Sequence, residues 1–257
     1  MKSLKLNLIT VLIAATFFHI TPARANDDDS ALETYNRAMF NFNTAADDYV
    51  IKPVAKGYRA VTTEFIRERV RNFFENIKEP ASTINHSLQG NFADSGKSLG
   101  RFVINSTLGL LGTFDVAGGW GLPKNKTGFD ATLAKWCVPD GPFIVLPLLG
   151  PSTPRATAGL AADAFADPLY WANYYATFGN DLEKYSFYYG LTALGFVSLR
   201  EQNLELLDKL TANSVDVYST IKSAYIQNRL KIGSCAGQKT ESTDSYDFDF
   251  DDEDDFE

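Results

Sequence analysis

The sequence predicts an all-α protein, and three observations carry that reading. Apolar residues recur at helical spacing through most of the chain. Few runs alternate with the period of two that a half-buried strand needs. The two long uncharged segments are broken by glycine and proline, which suits connectors between helices better than strands in a sheet. The 257 residues, 45% hydrophobic and 13% aromatic, suffice for one sizeable domain and at most two.

The ends of the chain have their own character. Lys2 and Lys5 precede an apolar run from Leu6 to Ile20, and Ala23-Arg24-Ala25 forms a small-x-small cleavage site. This pattern predicts a signal peptide over residues 1–25 and a mature chain starting at Asn26. The apolar run is short for a bilayer-crossing anchor, and no cysteine sits near the cleavage point. At the other end, residues 241–257 hold ten acidic residues and no basic one. Their mutual repulsion predicts a disordered acidic tail, and they lack the glycine and ligand spacing of an EF-hand. The formal charge of −8 is therefore concentrated in the tail, and residues 26–240 carry a net −1. A nearly neutral body lacks the basic face that nucleic acid binding requires.

After Asp27-Asp28-Asp29, residues Leu32, Tyr35, Met39, Phe42 and Ala46 form one apolar face of a first helix, with Phe40 off that face. Pro53 is expected to end it. A second helix is expected over residues 56–80, with Tyr58, Val61, Phe65, Ile66, Val70, Phe73, Phe74 and Ile77 as a broad core-facing stripe. Charges of both signs cover its other side, and Pro80 stops it. Gly96-Lys97-Ser98 suggests a phosphate loop, but position 91 is Asn91 where that motif needs glycine, and no apolar strand precedes it. The uncharged run from Phe102 to Phe114, loosened by Gly109 and Gly112, is too short to span a bilayer as a helix. It fits entry into one leaflet or a hairpin in a helical core.

Residues 128–155 hold five of the ten prolines and no charge between Gly141 and Thr153. The prolines argue against both a helix interior and a central strand. Beyond it the chain is expected to be helical to about Lys231, with dense aromatics at Tyr170, Trp171, Tyr174, Tyr175, Tyr185, Tyr188 and Tyr189. Such residues pack cores or sit at a membrane–water boundary. Catalysis and metal binding find little support. The mature chain has one histidine, His86, no G-x-S-x-G elbow, and no convincing acid/base pair. Cys137 and Cys235 could pair in an oxidising compartment, but sequence alone gives no distance between them.

The ordered pieces of the chain resemble the MlaA/VacJ family. They are Tyr35 to Asn43, Lys52-Pro53-Val54-Ala55, Asn76 to Pro80, Asn85 with Leu88-Gln89-Gly90, and Arg101-Phe102 with Asn105 to Gly109. They continue through Phe114 to Ala117, Phe129 with Thr132-Leu133, Gly141-Pro142-Phe143 with Leu146-Pro147 and Gly150, and end at Tyr225, Gln227 and Arg229. The match runs from Leu32 to Arg229. The resemblance implies a ring-like single domain of amphipathic helices, residues 26–240, in the periplasmic leaflet of the outer membrane beside a trimeric porin. It implies no enzyme activity and no cofactor. Its expected role is to remove mislocalised phospholipids from the outer leaflet and pass them to a periplasmic lipid carrier protein. On that reading Phe143, Ile144, Leu146, Leu148 and Leu149 form an apolar wall, Gly141 and Pro142 a pivot, and Asn41 and Phe42 match a first-helix position close to the ring. The sequence departs from the family in two places. Many relatives carry an acylated cysteine at the mature terminus, and Cys137 stands where relatives commonly have glycine. Two other readings compete: a soluble periplasmic helical scaffold whose tail binds a partner, and a hydrolase using a serine with His86.

Overall fold

The computed structural model describes residues 28–175 and 181–232. The expected signal peptide, the acidic tail and Cys235 lie outside the described residues. Helix α1 spans Asp28–Ala46 and continues through a π-turn, Asp47–Ile51, into α2, Lys52–Val61. Pro53 does not terminate the chain's helical course. It follows directly on the π-turn, whose wider bonding, Lys52 N donating to Asp47 O, accommodates a residue without an N–H inside a continuous helical course. Arg200 holds the π-turn through two parallel hydrogen bonds to Asp47, each 2.7 Å.

The single helix expected over residues 56–80 is divided at Thr62-Thr63. Both residues are extended there, and Thr63 Oγ1 accepts from Ile66 N to cap α3, Glu64–Ile77. Helix α4, Glu79–Leu88, again starts with proline in its first turn, and α5 spans Phe92–Thr107 behind the Asn91 cap. Gly96-Lys97-Ser98 lies inside α5. Short helices α6, Val116–Gly119, and α7, Phe129–Lys135, follow. Strands β1, Ile144–Leu146, and β2, Gly150–Ser152, pair antiparallel. They precede α8, Pro154–Phe165; α9, Pro168–Tyr175; α10, Asp181–Gln202; α11, Leu204–Asn213; and α12, Val217–Lys231.

The proline-rich stretch holds the short helix α7 and a strand pair, and both respect the limits its prolines set: none lies in a helix interior or a central strand. Pro139 lies past the end of α7, and Pro151 sits opposite Val145 on a two-stranded ribbon that has no central strand. The rest of the chain meets the all-α expectation.

Packing runs from neighbour to neighbour: α1 against the hairpin, α2 against α10, α10 against α3, α3 against α5, α5 against α4, α4 against α7, and α7 against α8. The chain itself joins α8 back to β2, so the circuit closes. The substantial helix pairings lie along this circuit or between elements consecutive in the chain.

What the circuit buries is unusual. Among the described residues seven hydrophobic side chains are buried, mostly alanine, against seventeen polar or charged ones. Large apolar side chains point outward instead. The expected core stripe of α2 and α3 is split: Val61, Phe65 and Ile66 are exposed, Tyr58, Val70, Phe73, Phe74 and Ile77 are half-buried, and it is Asn72 and Asn76 that are buried. In α1 the expected apolar face is likewise divided, with Tyr35 and Phe42 exposed, Leu32, Met39 and Ala46 half-buried, and Asn36 only 2% exposed. Leu108, Leu110 and Leu111 project from the turn after α5, where Leu110 and Leu111 both take left-handed backbone. Gly112 makes that turn possible, since a Cβ there would lie 2.3 Å from Asn76 Cβ. No helix among the described residues is long and apolar enough to cross a membrane.

Candidate functional site

The hairpin is held from three sides. Asparagines seven residues apart lie two turns apart on one face of a helix. Asn36 and Asn43 of α1 use this spacing to grip the hairpin backbone at two points. Asn36 Nδ2 donates to Phe143 O at 2.9 Å, and Val145 N donates to Asn36 Oδ1 at 2.8 Å. Asn43 Nδ2 donates to Leu146 O at 2.8 Å, and Leu148 N donates to Asn43 Oδ1 at 2.6 Å. A helix thus supplies, through side-chain amides, the bonds that a third strand would have supplied.

The second side is α12. The Phe143 ring packs edge-on against Tyr218 and Tyr225, at 6.3 and 5.7 Å between centroids. Tyr218 also meets Phe40 edge-on at 5.4 Å, and its hydroxyl donates to Glu33 at 2.8 Å. Burial, and then that bond to the Glu33 carboxylate, push the Tyr218 hydroxyl well above its usual range.

The third side is a charge cluster at the hairpin's base. Arg229 of α12 donates Nε to Asp140 Oδ2 at 2.8 Å and Nη2 to Asp130 Oδ1 at 2.9 Å. Arg155 donates Nε to Asp130 Oδ1 at 3.0 Å and Nη1 to Val138 O at 2.9 Å. Burial acts to raise the Asp130 carboxyl, but the guanidinium bonds from Arg229 and Arg155 outweigh it and hold the group below the usual range.

Between the clamp at Asp140 and the aromatic anchor at Phe143 lie Gly141 and Pro142, both exposed. Gly141 has φ +81°, and a Cβ there would meet Pro154 Cδ and Cγ at 3.0 Å. The candidate wall divides in two. Phe143, Ile144 and Leu146 are half-buried around Val145, which is fully buried, while Leu148 and Leu149 form an exposed tip. Leu148 takes left-handed backbone at φ +62°. Asn41 and Phe42 are both exposed, and it is their neighbours Asn36 and Asn43 that hold the hairpin. The seven-residue spacing of those asparagines was the available signal. Val145 could have been found from its place at the centre of the apolar run.

Other candidates find structural employment. His86 is 3% exposed, and its Nε2 pairs with Asn125 O at 2.8 Å. Cys137 is held in a disulfide. Among the described residues no group of three histidine, cysteine or carboxylate side chains is placed to hold a metal ion.

The family model described as MlaA lipoprotein matches residues 28–231. The intermembrane phospholipid transport system lipoprotein MlaA of Escherichia coli is 33% identical over 200 residues, 76% of this chain and 75% of that one. The Haemophilus influenzae protein of the same name is 30% identical over 249 residues, 93% of this chain and 94% of that one. An uncharacterized protein of Rickettsia conorii is 36% identical over 193 residues, 75% of this chain and 73% of that one. A solved structure from work on the structural basis for maintenance of bacterial outer membrane lipid asymmetry superposes with a TM-score of 0.64 at 33% identity. That match covers 78% of this chain and 97% of that one.

Proposed function

The chain belongs to the MlaA family, and from that premise we propose that it is the outer-membrane component of intermembrane phospholipid transport. Its task is to take mislocalised phospholipids out of the outer leaflet and so maintain lipid asymmetry. The observation that carries the reading is the inverted surface: asparagine, serine, arginine and glutamate are buried while phenylalanine, valine and leucine face out. In water such a distribution would leave far more apolar patch than a monomer tolerates. In hydrocarbon it is favourable, because exposed apolar side chains lose nothing and helical backbone bonds its own polar groups. With no spanning helix among the described residues, the protein would sit in one leaflet.

We further propose that the hairpin flanks the lipid path, with Phe143, Ile144, Leu146, Leu148 and Leu149 as its apolar wall and Gly141-Pro142 as its pivot. A trimeric porin in the membrane and a soluble periplasmic carrier are the partners this placement calls for. The outward apolar surface is proposed to help attach the chain to the membrane. The acidic tail beyond the matched region is proposed to be dispensable. Intact mass of the membrane form would reveal an acyl group if there is one.

The deciding experiment measures outer-leaflet phospholipid in cells with and without the protein, together with membrane fractionation after a high-salt wash. Retention in the outer membrane and accumulation of outer-leaflet phospholipid on deletion are the expected results. Release with the soluble periplasm and unchanged lipid would favour a soluble scaffold instead.

A further inference from the structure

Away from the hairpin, a cleft of about 540 Å³ opens where the α2–α3 corner meets the end of α10 and the start of α11. Its lining is almost wholly charged: Arg59, Glu64, Arg67, Arg71, Glu201 and Glu205. Three guanidinium groups face three carboxylates, so the cleft is neutral overall but strongly dipolar in detail.

The pairings within it are unequal. Glu201 is the buried carboxylate, with its side chain 8% exposed, and it takes Arg59 Nε at 2.7 Å and Arg67 Nε at 3.2 Å. Arg67 is further fixed by donating to Thr62 O at 2.6 Å. These three groups hold the corner together. Arg71, one turn beyond Arg67 on the same face of α3, makes no ion pair among the described residues. Glu64 and Glu205 stand at the rim, their side chains 88% and 77% exposed, each on one long bond to an arginine already engaged elsewhere. The cleft therefore offers one guanidinium without an ion pair, whose charge acts on Glu75 one turn on, and two carboxylates held by single long bonds. Outside it, the same corner presents Val61, Phe65 and Ile66 outward.

We propose that this cleft binds a zwitterionic phospholipid head group, the phosphodiester on Arg71 and the ammonium between Glu64 and Glu205, with the acyl chains lying along Val61, Phe65 and Ile66. The proposal rests on the phospholipid-transport reading and adds a substrate class to it. A planar guanidinium matches two phosphodiester oxygens, and a compact ammonium suits exposed carboxylates. A purely anionic head group would satisfy Arg71 but would bring its remaining groups against Glu64 and Glu205 with no cation to offer them.

The test uses the full-length protein in detergent and measures binding of short-chain phosphatidylethanolamine, short-chain phosphatidylglycerol and inorganic phosphate below micelle-forming concentrations. Phosphatidylethanolamine should bind best. Arg71→Gln should weaken both lipids about tenfold or more, the loss of one charge-assisted contact. Arg71→Lys, which keeps the charge but not the planar two-point fork, should recover only part of that loss. Glu64→Gln with Glu205→Gln should weaken only phosphatidylethanolamine and erase the preference. Equal affinity of the two lipids for the wild type, inorganic phosphate binding as tightly as lipid, or an Arg71→Gln protein with unchanged melting temperature and unchanged binding would each overturn the assignment. Outer-leaflet phospholipid in cells separates the two levels of the argument. If deletion of the protein raises it and Arg71→Gln does not, the head-group site falls and the transport reading stands. If deletion itself has no effect, the transport reading falls.

Discussion

Asn36 and Val145 stand 109 positions apart in the chain and bond as strand partners would: the Asn36 amide oxygen accepts from Val145 N, and its nitrogen donates to Phe143 O. Both Asn36 and Val145 are almost fully buried. Replacing Asn36 with alanine would leave a buried N–H and a carbonyl without partners, a cost of about 3 kcal/mol. For a domain of this size that is a fall of roughly 10 °C in melting temperature. Asn36→Asp retains the acceptor for Val145 N but loses the donor to Phe143 O, and should be no better than alanine. Thermal unfolding of the two variants beside Asn41→Ala, at an exposed position, checks this. Equal melting temperatures for all three would mean that the hairpin stands without the clamp.

Gly141 is the second point where the hairpin is tested. Its left-handed backbone and the nearness of Pro154 predict that Gly141→Val is strained in the conformation seen here. If the residue is a pivot, outer-leaflet phospholipid should rise by more than the fall in folded protein accounts for. Lipid, protein abundance and protease resistance are measured on the same cells. Lipid that tracks abundance would reduce Gly141 to a packing role.

The sequence made most of the helices legible, because periodicity survives whatever surrounds it. It misled on orientation. Val61, Phe65 and Ile66, three of the eight residues of the broad stripe, read from the sequence as core-facing, since in a water-soluble protein an apolar stripe turns inward, yet they are exposed while the other five are half-buried. Here Asn72 and Asn76 take the buried side. Periodicity says that a helix has two faces and does not say which solvent each one meets. The divisions at Thr62-Thr63 and at the π-turn were hidden for another reason. They depend on a cap bond and on Arg200 reaching Asp47 from 153 positions away. At the candidate site the apolar run and Gly141 were legible as unusual composition. The groups that fix them, Asn36, Asn43, Arg229 and Asp130, are polar residues whose partners only the fold brings near.

The Arg229 cluster makes a prediction about pH. Asp130 is held below the usual carboxylate range, so it binds its proton more weakly folded than unfolded. It therefore contributes stability above the unfolded value, about 3.9, and that contribution disappears as pH falls through the lower folded value. Arg229→Gln removes the partner shared by Asp130 and Asp140 and should cost about 3 kcal/mol near pH 7. The deficit should shrink below about pH 4, where wild type loses the same contribution. Denaturant midpoints of both proteins from pH 7 to pH 3 should converge, whereas parallel curves would show that the cluster is not coupled to protonation.

Cys137 carries the last prediction. Helix α7 ends in a paired closure: Cys137 N donates to Ala134 O and Val138 N donates to Leu133 O, both at 3.0 Å. This closure puts the residue after the helix into left-handed backbone, and Cys137 has φ +66°. Glycine is the residue that adopts this conformation without strain. Cys137 is also disulfide-bonded, so the chain tolerates a strained backbone at a position that carries a cross-link. Cys137→Gly and Cys137→Ala lose the cross-link equally and differ chiefly in the cost of left-handed backbone. Cys137→Gly should therefore be the more stable by about 1 kcal/mol, although glycine gives the unfolded chain more freedom to lose. Denaturant midpoints of the two variants, each compared with wild type before and after reduction, separate the terms. If alanine matches or exceeds glycine, the left-handed conformation at residue 137 is imposed by the disulfide and not by the helix closure.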